Sequence, residues 1–277
     1  MITLLNPYQI VIDSGPVQMS VTAERRGEPI GRELRKLEEP VNTWLDDLRR
    51  YLSSAKTTWT ELSADTVYPK ILSKMLSAVS LTGEPNLTPM AAVAGSMAEL
   101  VCEYLVQRGA SKVLVNNGGD VALHLGRGEK TRVGIVPRLG TEPSYYLDVE
   151  GTKIGGIATS GRGGRSFTLG IADAAVAIAA TSSVADACAT VLGNAVNVES
   201  PFIERKVARD LDPATDIPEL MVTCAVPSLS LSLKQEALER GLKKVRELVE
   251  RKVICGAVLF LQGEMRQFPT DLIHPIK

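Results

Sequence analysis

VLVNNGGD at residues 113–120, with GGIATSGRGGRS at 155–166 and ADACAT at 185–190 downstream, decides how this chain is read. Both Gly-rich loops follow apolar runs of strand type, so backbone N–H groups gather where strands end. Such clusters suit an anionic ligand, typically a nucleotide phosphate. A nucleotide-handling protein is the leading reading, although neither loop has Walker or dinucleotide-fingerprint spacing. In the first loop, Asn117 and Asp120 flank Gly118 and Gly119. Burying an amide and a carboxylate is costly unless something pairs them, and a ribose or a ring edge would satisfy both. The alternative is a tight turn, since Asn, Gly and Asp all tolerate positive φ.

The second loop, Thr159, Ser160, Gly161, Arg162, Gly163, Gly164, Arg165 and Ser166, carries three glycines, three hydroxyls and two guanidiniums. Glycines let a backbone approach a ligand, hydroxyls donate, and Arg forks match phosphate oxygens. A surface hairpin is the competing reading. Asp186 and Thr190 stand four apart in a helical pattern and hence on one face. A carboxylate and a hydroxyl so placed can hold a hard cation such as Mg2+, which needs few protein ligands. Asp186 as a solvated residue favoured by the helix dipole is the alternative. The only histidines are His124 and His274. No Ser or Cys is evidently teamed with His124, so the pattern supports no hydrolase dyad or triad, and His124 reads as a strand histidine.

The composition sets the background. A hydrophobic content of 44% and a charged content of 23% over 277 residues are those of an ordinary globular protein. A net charge of -1 gives no bulk attraction to nucleic acid or membrane, and 4% aromatics leave few platforms for stacked bases. The four cysteines are far apart without a CxxC pair, and three lie in apolar runs that read as buried free thiols. No apolar run reaches about 18 residues, and the N-terminus lacks a basic region and a cleavage site. The expected compartment is therefore cytoplasmic.

Residues 8–13 and 18–23 flank SGP as a hairpin. Helical spacing runs over 32–55 with an interruption at Pro40, and again over 67–81. Thr88, Pro89 and Gly109 bracket a strong helix whose buried stripe includes Met97, Leu100, Val101 and Leu105. Strands are expected at 112–115, 121–125, 132–136, 145–149 and 153–158 as one continuing sheet, with a central strand at 174–180. Ser183 is expected to cap a helix over 183–196, and Ser200-Pro201 to open another. A strand at 219–226, a charged amphipathic helix at 235–252 and a last strand at 253–262 complete the chain. Strands and helices mix without strict alternation, which predicts an α+β fold.

Taken in order, these motifs resemble the ApbE-like superfamily, whose best-known members are FAD:protein FMN transferases. The resemblance runs from about Met90 to Val196 and is closer to a shorter branch that lacks the transferase Lys and His. It implies a two-part, T-fold-like architecture in a single ApbE-like domain over 1–277, with the motif-bearing core at 86–200. It also implies FAD or a related flavin nucleotide bound in a cleft with Mg2+. Asn117, Gly118, Gly119 and Asp120 match the transferases' N-x-G-G-D loop. Thr159, Ser160 and Gly161 match their A-T-S-G loop, with Arg162 and Arg165 beyond it, and Asp186 and Thr190 match the A-D-x-x-x-T element that binds metal. The transferases' K-G motif reads Ala94-Gly95 here, followed by Glu99 at the acidic position, and of their H-x-x-D-P element only Asp173 remains.

The resulting expectation is a flavin- or nucleotide-binding protein, with divalent-metal-dependent chemistry on FAD or a related ligand. Two alternatives stand beside it: a non-catalytic flavin-binding module supporting a redox protein partner, and an enzyme acting on a small N-heterocycle. No residue is assigned as catalytic, and neither nucleic acid nor membrane is an expected partner.

Overall fold

Alternation of apolar residues builds the first strands. Ile10 and Ile12 on one strand, and Val17, Met19, Val21 and Ala23 on the next, all turn to one buried face. The computed structural model describes residues 1–138 and 141–276. In chain order the strands are β1 Ile2–Asn6, β2 Gln9–Ser14, β3 Val17–Arg25, β4 Glu28–Pro29, β5 Lys112–Asn117, β6 Asp120–Leu125, β7 Lys130–Ile135 and β8 Tyr145–Glu150. They continue as β9 Gly156–Ser160, β10 Ala174–Ala179, β11 Glu204–Val207, β12 Met221–Ala225, β13 Gly256–Leu261, β14 Glu264–Phe268 and β15 His274–Pro275. The helices are α1 Gly31–Arg35, α2 Glu38–Arg50, α3 Leu52–Ala55, α4 Lys70–Thr82, α5 Val93–Gln107, α6 Ser182–Ala195, α7 Ala208–Leu211 and α8 Leu231–Glu250. The fold is α+β with antiparallel pairing.

Two compact units emerge. The first comprises Met1–Thr131, Glu150–Ala158 and Ala179–Ala187, and the second Arg132–Val149, Thr159–Ile178 and Cys188–Lys277. In the first unit the strand order is β1-β2-β3-β5-β6-β9, with β4 on β3. Helix α5 lies on β5 and β6, α4 packs on α5, and α2 on both. Met97, Leu100, Val101 and Leu105 of α5 meet Ile71, Leu72 and Met75 of α4 in one core, every one of them essentially excluded from water. The segment Pro89–Gln107 is long and apolar enough to cross a membrane, but most of it is buried in this core.

In the second unit β10, β13 and β14 lie side by side, and every residue of β10 and β13 is buried. Helix α8 packs on β13 and β14 through Ala237, Leu238, Leu242, Val245 and Leu248. A side chain at Gly241 would collide with Val196 and Leu259, so this glycine sets how closely α8 approaches. Strands β11 and β12 form a separate ribbon.

Several local expectations are corrected. Strands β7 and β8 do not continue the main sheet but pair in a three-stranded sheet with β15. Ser200-Pro201 opens a turn into β11 rather than a helix. Pro40 sits in the first turn of α2 without interrupting it, because a first-turn residue needs no N–H donor. Two cysteines are buried rather than three: Cys102 and Cys188 are inside, Cys224 and Cys255 exposed.

Candidate functional site

The NNGG segment is a two-residue hairpin turn. Asn117 and Asp120 form the last pair of the β5–β6 ladder. Gly118 and Gly119 take φ of 69° and 110°, a left-handed conformation in which side chains are strained. Asn116 stabilises the turn by accepting the Gly119 N–H at 2.9 Å. The turn reading of these two glycines therefore holds. The flanking pair does something else. Asn117 follows Val113 and Val115 on the buried side of β5 and is only 2% exposed, and Asp120 is buried opposite it. The Asn117 amide donates to the Ala94 carbonyl at 3.0 Å, while its Oδ1 is buried with no hydrogen-bond partner.

Asp186 completes this constellation from α6. Its carboxylate accepts the Gly95 N–H at 2.8 Å, at the first turn of α5. Burial pushes the Asp186 carboxyl well above its ordinary range and the neighbouring Asp120 charge raises it further, while the Gly95 and Ala94 N–H groups pull only partly the other way. Half-buried Asp186 thus stands beside the buried Asp120, and the buried Asn117 amide oxygen lacks a donor. Every available ligand atom here is an oxygen, the donor set of a hard divalent cation, and a cation would relieve the repulsion. Among the described residues no cluster of three or more His, Cys, Asp or Glu side chains forms a metal site by itself. Thr190, four residues on along α6, is half-buried and belongs to the second unit.

Helix α6 is tied at its start to the neighbouring helix α5. It begins at Ser182, with the Thr181 carbonyl accepting the Ala185 N–H, so Ser183 lies in the first turn instead of capping it. Glu99 of α5 supplies the acceptor: its Oε2 takes the Ser183 N–H at 3.0 Å and the Ser183 hydroxyl at 2.7 Å. Lys74 of α4 holds the other oxygen of Glu99 at 2.5 Å and also reaches Glu103 at 2.7 Å. Burial works against the Lys74 charge, but the Glu103 and Glu99 carboxylates outweigh it and leave its pKa raised. Sequence reasoning noticed Glu99 only as an acidic position and missed Lys74. The available signal was a lysine beside the fully buried Ile71, Leu72 and Met75 of α4.

In the second unit, Thr159 and Ser160 end β9 half-buried, and the Ser160 side chain lies near Gly193 of α6. Gly161 is buried with φ of 150°, where an added side chain would run into the Ala172 and Asp173 carbonyls. Arg162 folds back on its own loop: its N–H donates to the Ala172 carbonyl, and its guanidinium meets Asp173 at 2.8 Å. The other oxygen of Asp173 accepts the Gln262 N–H. The Nε of Arg162 is buried without a partner. A groove of about 410 Å³ opens here, lined by Arg138, Arg162, Ser166, Thr168, Asp173 and Cys224 among others. Gly163 and Gly164 also line it, whereas Arg165 is exposed and does not.

His124 on β6 lines a second groove, of about 420 Å³, in the first unit beside Cys102, Glu99 and Glu103. Burial pushes the Cys102 thiol up to about 12, so it stays protonated and no thiolate nucleophile stands next to the imidazole.

The fold has known counterparts. The flavin transferase ApbE from Vibrio cholerae superposes with a TM-score of 0.53 at 12% identity, covering 94% of this chain and 96% of that one. An ApbE protein from Thermotoga maritima gives 0.52 at 12% identity, covering 95% and 97%. At such identities the likeness defines the fold, the α+β architecture of ApbE proteins. The family model described as "AbpE bacteria" matches residues 3–267, and the chain belongs to that family. Among curated proteins it resembles a UPF0280 protein of Archaeoglobus fulgidus, 38% identical over 130 residues, which are 46% of this chain and 51% of that one. A UPF0280 protein of Methanothrix thermoacetophila is 39% identical over 140 residues, or 49% and 56% of the two chains. The match thus spans about half the length of these curated relatives.

Proposed function

We propose that this chain binds a flavin nucleotide of the FAD class together with a divalent cation such as Mg2+. The observation that carries the reading is the half-buried Asp186 carboxylate, held by the Gly95 N–H beside the buried Asp120, an arrangement of negative charge that a cation would offset. Asp186 is the proposed cation ligand of the first unit, and Thr190 is proposed as an oxygen donor in the second. Asn117, whose buried Oδ1 has no donor, and Asp120 contribute oxygens on the β5–β6 side. Gly118 and Gly119 serve by holding the turn that presents that pair. When bound, the cation neutralises phosphate charge. In the second unit the backbone from Thr159 through Gly161, with Arg162, offers an oxyanion the donors it needs, and the unpaired Nε of Arg162 is the most direct of them. The Vibrio cholerae counterpart is a flavin transferase, which supports the ligand class.

Transfer chemistry is a separate matter. Ala94 stands where the resemblance places a lysine, and its part here is to accept from Asn117 through its carbonyl. Asp173 is tied to Arg162 and Gln262. The reading is therefore of cation-dependent flavin-nucleotide binding with little FMN transfer. Calorimetric titration of the full chain with FAD, with and without Mg2+, tests it.

A further inference from the structure

Helices α5 and α6 are joined at two rungs. Gly95 N–H to Asp186 is one, and Glu99 to Ser183 is the other. The rungs are four residues apart on α5 and three apart on α6, one helical turn in each case. Between them the backbones come so close that a side chain at Gly95 would collide with the Ser182 carbonyl and with Asp186 itself. A side chain at Gly156 would likewise strike Thr181 and Ser182. The first turn of α6 is therefore held by close backbone approach of α5 and β9 and by polar contacts from Gly95 and Glu99.

Glu99 provides the Ser183 contacts. One of its oxygens takes both Ser183 donors, and the other is fixed by Lys74, which separately pairs with Glu103. Each oxygen of the carboxylate has its own partner, so its orientation is determined. Lys74 and Glu99 are 19% and 12% exposed, enough shielding for the pair to persist against solvent screening.

We propose that Glu99, oriented by Lys74, is a positioning residue that sets where α6 places Asp186, and so governs divalent-cation affinity without touching the cation. This inference rests on the proposed cation role of Asp186. Groups that orient a metal ligand typically alter affinity by about 10–100-fold when removed.

The test is Mn2+ titration of the full chain in the presence of FAD, read by electron paramagnetic resonance, with circular dichroism and melting to verify folding. Glu99→Ala is expected to weaken Mn2+ binding at least about 10-fold. Glu99→Gln keeps an acceptor oxygen for Ser183 and should restore most of the affinity. Glu103→Gln removes a comparable ion pair with Lys74 that does not reach α6, and should leave Mn2+ affinity within about twofold while lowering stability. If Glu99→Ala does not fold, the decision passes to Ser183→Ala, which deletes the hydroxyl rung and is expected to weaken Mn2+ several-fold relative to Glu103→Gln. Wild-type affinity in folded Glu99→Ala, or equal losses in Glu99→Ala and Glu103→Gln, overturns the positioning role. Absence of Mn2+ binding by the wild type overturns the cation reading itself, a distinct result.

Discussion

Asp186 of α6 accepts the backbone N–H of Gly95 at 2.8 Å while its carboxyl is raised by burial and by the charge of Asp120. Such an arrangement opposes folding when the cation is absent, because ionising Asp186 is harder in the native state than in the unfolded chain. It is the kind of local cost a binding site carries.

Asp186→Asn should therefore stabilise the cation-free protein while abolishing Mg2+-dependent ligand binding. The amide keeps an acceptor for Gly95, and the repulsion with Asp120 disappears. A rise in Tm of roughly 2–4 °C, the effect of about 1 kcal/mol on a chain this size, is expected by calorimetry without divalent metal. The sign with pH follows. A raised native carboxyl means the folded state holds more protons, so the Asp186 contribution improves as pH falls through the raised value toward its ordinary 3.8. The Tm gap between variant and wild type should narrow from pH 8 to pH 5. A gap that widens would contradict the assignment.

Gly95→Ala tests the close approach of α5 to α6. The added methyl meets the Ser182 carbonyl, a backbone atom that cannot rotate away. A loss of about 2 kcal/mol or more in chemical denaturation is expected, with ligand binding reduced in parallel. Gly119→Ala has open space around it but a φ of 110°, so it should cost about 1 kcal/mol through strain alone.

The two arginines of the second loop should separate. Arg162→Ala leaves Asp173 without its cation and removes the unpaired Nε, so it should cost about 1–2 kcal/mol and weaken FAD binding. Exposed Arg165→Ala should change stability by less than about 0.5 kcal/mol and binding little. Equal effects in the two variants would show that the groove at Arg162 is not the oxyanion site.

FMN transfer to a Thr-containing acceptor peptide should be absent or very slow, since the resemblance places a lysine where Ala94 stands and a histidine that the chain lacks. Peptide mass spectrometry after incubation with FAD and Mg2+ reads this out. Robust flavinylation would restore an ordinary transferase activity.

Much of this was legible in the chain itself. The strand into the first loop reads to Val115 in the sequence and extends to Asn117 in the structure, and the glycine pair marked the hairpin. Ile71, Leu72 and Met75 announced α4, and the Pro89 start announced the helical segment containing α5. What escaped was set by tertiary partners. Ser183 has the local signature of a cap, yet Glu99, distant in sequence, supplies the acceptor at that helix end. Ser200-Pro201 carries the same signature and leads into a strand, because β11 finds β12. Strands β7 and β8 have ordinary strand patterns that cannot say which sheet receives them, and β15 at the far end of the chain decides it. The pairing of Asp120 with Asp186 was likewise unreadable, since helical spacing pointed Asp186 toward Thr190 and not toward the hairpin.

The most direct measurement is isothermal titration of the full chain with FAD in matched buffers containing Mg2+ or a chelator, for wild type and Asp186→Ala. Binding by the wild type should depend on Mg2+, and the variant should lose that dependence. FAD binding that is identical with and without Mg2+, or unchanged in Asp186→Ala, would contradict a cation-dependent flavin-nucleotide site.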